Sequence, residues 1–236
     1  MHHRTFTAAQ AGVMAAAIAL CAAISVSAAP VETKTIPAED LFPFLRNYYA
    51  LPAAERTEFH LGYALRVQGA RPDQIDLSLQ DGANRSRIAA DAQGYLSPLP
   101  TDAQLKAKAK LSVTRPAEAK CGISMEVLPN PSPSQSMDAK SLALAVSQAR
   151  AGSKKLAGVL AMAMPTLDRV DILGVTSGEV KLANGTTRPL PFTPASTDKK
   201  GGRHPAHLTF VPADMPGAVT LTFKGVPTRL LIGSKD

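Results

Sequence analysis

Two histidines that lie three positions apart, His204 and His207, are the residues of this sequence most suited to metal chemistry. Imidazole nitrogens are common ligands of zinc, copper and other transition metals. Pro205 lies between the two histidines and excludes the regular helix on which zinc enzymes often place such a pair. A metal site would therefore need a further ligand from elsewhere in the chain, and His60 is the candidate. The alternative is that all three imidazoles are solvated, since His60 falls on the polar face of a predicted strand.

Two groups of basic residues are candidates for contact with an anionic partner. The first group alternates along residues 105–114, which the pattern predicts to be a strand, so its members would form one row spaced by about 7 Å. The second group falls on a predicted polar, glycine-rich loop. The two groups consist of Lys106, Lys108 and Lys110, and of Lys199, Lys200 and Arg203. The alternative is a solvated surface, on which strand lysines prevent edge-to-edge aggregation.

Cysteine chemistry is restricted to Cys121, because the other cysteine, Cys21, lies in a segment that we expect to be removed. Cys121 alternates with Ile123 and Met125 on the apolar side of a predicted strand, which favours a structural thiol over a catalytic thiolate. The mature chain would therefore contain no internal disulfide bond. We predict no cofactor, apart from the transition metal of the histidine hypothesis.

Established catalytic motifs are missing from the sequence. It contains no Gly-x-Ser-x-Gly, no His-Glu-x-x-His and no phosphate-binding Gly-Lys-Ser/Thr. These absences favour a non-enzymatic protein. They leave catalysis open, because active sites are also assembled from residues that are distant in sequence.

Residues 1–28 have the three parts of a secretory signal peptide: a basic start, an apolar middle and a small-residue exit. The apolar run from Ala11 to Ile24 is about 14 residues long, whereas a membrane span needs roughly 20. Cleavage is expected after Ala28, and Leu20 before Cys21 argues against lipidation. We therefore expect a periplasmic (or secreted) protein with no transmembrane anchor, and an alanine-rich signal of this kind is typical of bacteria.

The charge balance narrows the class of partner. The formal net charge is +7 at neutral pH, which suits an anionic lipid, a wall polymer or another envelope protein. Export argues against nucleic acid as a partner. The chain contains no tryptophan, which disfavours a platform for stacking sugars. The sequence does not determine the oligomeric state.

Alternating apolar and polar residues predict many short strands, the clearest of which runs from Phe59 to Gln68. We expect an α+β, mainly β fold, with two immunoglobulin-like or sandwich-like antiparallel β units joined by a helical connector. The predicted organisation is a signal peptide (1–28), an N-terminal helical segment (29–58), a first β-rich unit (59–128), a Pro/Ser-rich linker (129–136), a helical connector (137–164) and a second β-rich unit (165–236).

Local signals define parts of this organisation further. Ser136 is predicted to cap a helix from Met137 to Ala149, followed by a break at Gly152 and a second, apolar helix over residues 156–164. Asn184-Gly185 predicts a hairpin turn. Residues 75–110, which contain a turn, an Asp-x-x-Gly sequence and a lysine-rich segment, resemble transthyretin-like or other immunoglobulin-like accessory modules. The resemblance implies a β-sandwich and covers less than a fifth of the chain.

Three functional hypotheses follow from these patterns. The leading one is a non-enzymatic periplasmic protein that binds a partner in the cell envelope. The second is a secreted metal-binding protein or hydrolase that uses His204 and His207. The third is a soluble carrier of an apolar ligand held between the helices and a sheet.

Overall fold

The computed structural model describes residues 30–157, 165–197 and 202–234. These residues are mostly β-strand and form several antiparallel sheets, which confirms the prediction of a mainly β, antiparallel fold. The predicted signal peptide lies outside the described residues. Among the described residues, no helix is both long enough and apolar enough to cross a membrane.

The described chain up to residue 129 forms one sheet, one two-stranded ladder and three short helices. Its elements are β1 (Val31–Pro37), α1 (Ala38–Leu41), α2 (Leu45–Ala50), β2 (Phe59–Gln68), β3 (Asp76–Asp81), β4 (Asn84–Ala90), β5 (Leu96–Ser97), α3 (Asp102–Lys106), β6 (Lys110–Pro116) and β7 (Lys120–Pro129). The sheet has the strand order β1-β6-β3-β4-β5, and β2 pairs with β7 in the ladder. The predicted N-terminal helical segment thus also contains β1, which pairs with β6 along its whole length.

The described chain from residue 136 onward contains one long helix and three further sets of paired strands. Its elements are β8 (Ser136–Asp138), α4 (Ala139–Ala157), β9 (Leu167–Leu173), β10 (Gly178–Leu182), β11 (Thr187–Pro189), β12 (Phe192–Thr193), β13 (Ser196–Thr197), β14 (Arg203–His204), β15 (His207–Phe210), β16 (Ala218–Phe223) and β17 (Arg229–Ser234). The two four-stranded sheets have the orders β11-β10-β16-β8 and β12-β15-β9-β17, and β13 pairs with β14.

The helix α4 presents the predicted apolar stripe to the core. Leu142, Ala145, Val146 and Ala149 are all buried, because residues three and four positions apart share one face of a helix. This helix contacts β9 and β16, and it also contacts β2 and β7. Buried residues of α4, β2, β9 and β16 belong to one continuous apolar cluster, against which partly buried residues of β7 pack.

The ends of α4 differ from the predicted ones. Ser136 and Met137 pair with β16 and do not begin the helix, so the predicted cap is wrong. Asp138 takes that role, since its Oδ2 accepts a hydrogen bond of 2.7 Å from the backbone N–H of Ser141. The predicted break at Gly152 is also wrong, and the helix continues to Ala157. The rest of the predicted second helix, residues 158–164, lies outside the described residues.

The predicted strand over residues 105–114 is wrong in its first half. Residues 102–106 form α3, which begins with a capping box in which Thr101 and Gln104 exchange hydrogen bonds. The helix ends at Lys106, and Lys108 in the turn that follows has a φ of 57°, in the left-handed region. The strand β6 then begins at Lys110. Other strand predictions are confirmed: β2 has the predicted bounds, and the Asn184-Gly185 turn joins β10 to β11.

Candidate ligand-binding site

The three predicted histidine ligands do not form one group. His60 lies on β2, and its Nδ1 is 2.6 Å from Asn130 Oδ1. His204 is exposed on β14, whereas His207 on β15 places its Nε2 3.8 Å from Asp171 Oδ1. Within residues 30–157, 165–197 and 202–234, no three histidine, cysteine or acidic side chains come together to hold a metal ion. The predicted metal ligands are therefore not brought together.

The three lysines predicted to form one row lie on different elements. Lys106 is in the last turn of α3, and its Nζ is 2.6 Å from Asp102 Oδ2. Lys108 lies in the turn after that helix, and Lys110 is the first residue of β6. The predicted row along one strand face is wrong, because α3 takes the place of the first half of that strand.

The second basic cluster is described only in part. Lys199 and Lys200 lie outside the described residues. The backbone of Arg203 lies in β14, where it pairs with Thr197.

An apolar cavity of about 440 Å³ lies between the five-stranded sheet and the β2–β7 ladder. This volume falls within the range of roughly 300–1,000 Å³ that is typical of sites for small molecules. Its apolar walls include Ile36, Leu77 and Val113 from the sheet and Leu65, Cys121 and Ile123 from the ladder. Sequence reasoning missed this cavity, because its walls come from strands that are far apart in the chain.

Strand register explains why these side chains face the cavity. Leu77 is directly opposite Val113 in the sheet, and Leu65 is directly opposite Ile123 in the ladder. Side chains of directly opposed residues point to the same face of a sheet. Lys34 is also opposite Val113, so its side chain begins on the cavity side of β1.

The mouth of the cavity is basic. Lys34, Arg115 and Lys120 line it, together with Glu118. The two lysines are exposed, and neither forms an ion pair with another described residue. They are therefore the two cations at the mouth that an anionic group of a ligand could reach without displacing an acidic partner.

Arg115 has a structural role at the same mouth. Its Nη2 is 2.8 Å from Glu32 Oε2, which compensates the positive charge. Its Nη1 donates to the carbonyl oxygens of Ala117, at 3.1 Å, and of Ala119. These bonds hold the turn between β6 and β7 in place and fix one rim of the cavity.

Cys121 is a half-buried free thiol in the wall of this cavity. It is opposite Val67 in the ladder, in line with Ile123 and Met125, so the predicted apolar side is confirmed. The side chain packs against the core and also faces the cavity, so it can report on whether the cavity is occupied.

Comparisons with known proteins do not assign the chain to a family: no family model, no curated protein and no solved structure matches it significantly. The cavity between the sheet and the ladder therefore has to be interpreted from its own chemistry. Its walls are apolar and its mouth is basic, which is the distribution expected of a site for an amphipathic anion.

Proposed function

We propose that this protein is an exported, non-enzymatic binding protein that carries a small amphipathic ligand in the cavity between the five-stranded sheet and the β2–β7 ladder. The observation that carries the proposal is the apolar cavity of about 440 Å³, with two lysines at its mouth that form no ion pair with another described residue. The carrier hypothesis from the sequence places the ligand between the helices and a sheet. The site proposed here lies instead between two β layers.

The proposal also includes two expectations from the sequence: export of the protein, and two sandwich-like β units joined by a helical connector. Cleavage near Ala28 would place the carrier in the periplasm or outside the cell. Loss of Arg4 with the signal peptide would reduce the formal net charge from +7 to about +6, which supports an anionic lipid, a wall polymer or an envelope protein as its partner. The two β units would be sandwich-like and α4 would connect them. In the first unit, the five-stranded sheet lies on one side of the cavity and the β2–β7 ladder on the other, which supports a sandwich-like arrangement there.

The ligand would have an apolar body and an anionic head. Burial of apolar surface stabilises a complex by about 25 cal/mol per Å², so the body supplies most of the affinity. Lys34 and Lys120 are exposed, and an exposed ion pair contributes only about 0–1 kcal/mol. The lysines therefore select for the charge of the head. A straight-chain carboxylate combines both properties.

Protection of the Cys121 thiol tests this proposal directly. After removal of residues 1–28, Cys121 is the only cysteine, so its reaction with a chromogenic disulfide reports on the cavity alone. We expect straight-chain carboxylates from hexanoate to hexadecanoate to slow the reaction in a saturable manner. If no member of the series slows it, the proposal is wrong.

Matched variants locate the ligand. Val113 lines the cavity and Val219 is exposed on β16. Val113→Phe should fill the cavity and abolish protection, whereas Val219→Phe should not. The double variant Lys34→Gln, Lys120→Gln should weaken binding of the carboxylate and leave binding of the matching alcohol unchanged.

The alternative of a metal-binding protein or hydrolase that uses His204 and His207 has no comparable support. In the described ranges these histidines are not part of any three-ligand group. Metal analysis of the untagged protein, together with a thermal shift in the presence of Zn²⁺ or Cu²⁺, tests that alternative independently.

A further inference from the structure

A second cleft, of about 280 Å³ and more polar than the first cavity, lies where β2 and the segment after β7 meet the start of β17. Its polar lining includes His60, Gln93, Tyr95, Asn130, Thr228 and Arg229. Leu128, Leu230 and the proline-rich segment 129–133 provide an apolar wall. The two sites have no lining residue in common.

A surplus of positive charge lies beside this cleft. Glu126 accepts from Arg66 Nη2 at 2.6 Å through Oε1, and its Oε2 is 3.3 Å from Arg229 Nη1. Tyr95 donates its phenolic proton to the same Oε2. One carboxylate therefore compensates two guanidinium groups, and one positive charge is left over in this group of four side chains.

Arg229 has capacity for a further partner. Its guanidinium lies over the ring of Tyr95, 5.4 Å from the ring centre. Its Nε is buried and has no hydrogen-bond partner within the part of the chain that the structure describes. The side chain is 24% exposed and lines the cleft. A planar guanidinium suits the two oxygens of a carboxylate.

Neutral hydrogen-bonding groups surround this cation. Asn130 donates through Nδ2 to the carbonyl of Thr57, so its Oδ1 is the acceptor that faces His60 Nδ1. His60 Nδ1 is then the donor in this bond, and Nε2 is the ring nitrogen that remains for a ligand. Gln93 and Thr228 add an amide and a hydroxyl to the same cleft.

We infer that this cleft binds a small hydroxylated carboxylate, such as a sugar acid. The carboxylate pairs with Arg229, the hydroxyl groups bond to His60 Nε2, Gln93 and Thr228, and the carbon frame lies against Leu128, Leu230 and the proline-rich segment. An inorganic anion would use the guanidinium but leave the apolar wall and the neutral groups without a partner.

Titration calorimetry with glucuronate, glucose and inorganic phosphate as the probes tests this inference. We expect glucuronate to bind, and glucose and phosphate to bind at least tenfold more weakly, since a hydrogen bond to a charged group changes affinity by roughly tenfold or more. Absence of glucuronate binding overturns the inference, and so does equal binding of phosphate.

Two variants with opposite expected effects distinguish a ligand-binding role of Arg229 from a purely structural one. Arg229→Gln should weaken glucuronate binding by roughly tenfold or more. Glu126→Gln should strengthen it several-fold, because two guanidinium groups then lack a carboxylate. Arg188→Gln, on exposed β11, is the matched control and should change nothing. Weaker binding in Glu126→Gln, with its thermal unfolding transition intact, contradicts the inference.

A third variant tests the site even if substitution of Arg229 or Glu126 prevents folding. Gln93 is exposed on the turn before β5, so Gln93→Ala should fold and weaken glucuronate binding several-fold. Unchanged glucuronate affinity in Gln93→Ala overturns the assigned position of the ligand hydroxyl groups.

Discussion

Arg229 Nη1 lies 3.3 Å from Glu126 Oε2 and thereby joins β17 to β7. These strands belong to different sheets and lie side by side. Glu126 also binds Arg66 and Tyr95, so one carboxylate connects three parts of the first half of the chain to the last strand. Loss of the carboxylate should therefore cost more stability than loss of any one of its partners.

The first prediction concerns this carboxylate. Arg229→Ala should lower the free energy of unfolding by about 1–3 kcal/mol, and Glu126→Ala should lower it more, because the latter leaves two partly buried donors unsatisfied. Arg66, which is half exposed, should contribute about 0–1 kcal/mol. Urea unfolding of the two single variants and the double variant measures the coupling. Strictly additive effects of the two substitutions would contradict a direct interaction.

The second prediction compares two glycines in the β2–β7 ladder. A Cβ at Gly62 would lie 2.5 Å from Leu128 Cδ1 and 3.0 Å from Tyr95 Cε1, whereas a Cβ at Gly122 would meet nothing within 4 Å. Gly62→Ala should therefore destabilise the fold by about 1–3 kcal/mol through overpacking. Gly122→Ala should be neutral or stabilise it by up to about 1 kcal/mol. Thermal unfolding of both variants checks the difference, and equal effects would rule out close packing at Gly62.

The third prediction concerns alkaline pH. Burial raises the pKa of Tyr95, and the bond to Glu126 raises it further. Burial likewise raises the pKa of Tyr63, whose hydroxyl donates to the carbonyl of Pro43. Unfolded tyrosines lose their protons near pH 10, so the unfolded state ionises first. The free energy of unfolding should therefore fall as the pH rises above about 10.

Urea unfolding between pH 8 and pH 11.5 measures this dependence, and absorbance at 295 nm follows ionisation without interference from tryptophan. Tyr95→Phe and Tyr63→Phe should each make the loss of stability above pH 10 less steep. An unchanged slope in both variants would contradict the prediction.

The elements that were predicted correctly depend on local spacing. The alternation in β2 and the stripe Leu142, Ala145, Val146 and Ala149 in α4 follow from the periods of strand and helix. The Asn184-Gly185 turn is equally local, since Gly185 adopts a φ of 82°. In each case, residues that are close in sequence are sufficient to determine the local structure.

Residues 105–114 show where a local pattern is ambiguous. Their apolar residues alternate as in a strand, but the preceding Thr101 and Gln104 form a capping box. A Thr-x-x-Gln sequence is a signal for a helix start, so this helix was detectable. The start of α4 was missed for another reason: pairing of Met137 with Leu221 in β16 is a tertiary contact.

The candidate sites depend on long-range register and therefore could not be predicted from local patterns. Lys34 faces the cavity because β1 pairs with β6, and Cys121 faces it because β7 pairs with β2. The group around Glu126 likewise requires β17 to lie beside β7. The sequence shows which strands alternate, and the pairing of those strands decides which side chains meet.

The fourth prediction concerns the start of α4. Hydrogen bonds from the hydroxyl and the backbone N–H of Ser141 lower the pKa of Asp138 below its ordinary value. The folded state therefore binds this proton less readily than the unfolded state. The stabilisation is present above the ordinary carboxyl pKa of about 4 and is lost as the pH falls. Asp138→Ala should lower the free energy of unfolding by about 1 kcal/mol at pH 7, and by less at pH 3.

Asp138→Asn is the matched control for this effect. Its amide oxygen can still accept the hydrogen bond from the backbone N–H of Ser141, because asparagine is as good a cap as aspartate. It cannot ionise, so its contribution should not depend on pH. Urea unfolding at pH 7 and pH 3 distinguishes the three proteins. A difference between wild type and Asp138→Ala that is the same at both pH values would show that the charge of Asp138 does not stabilise the helix start.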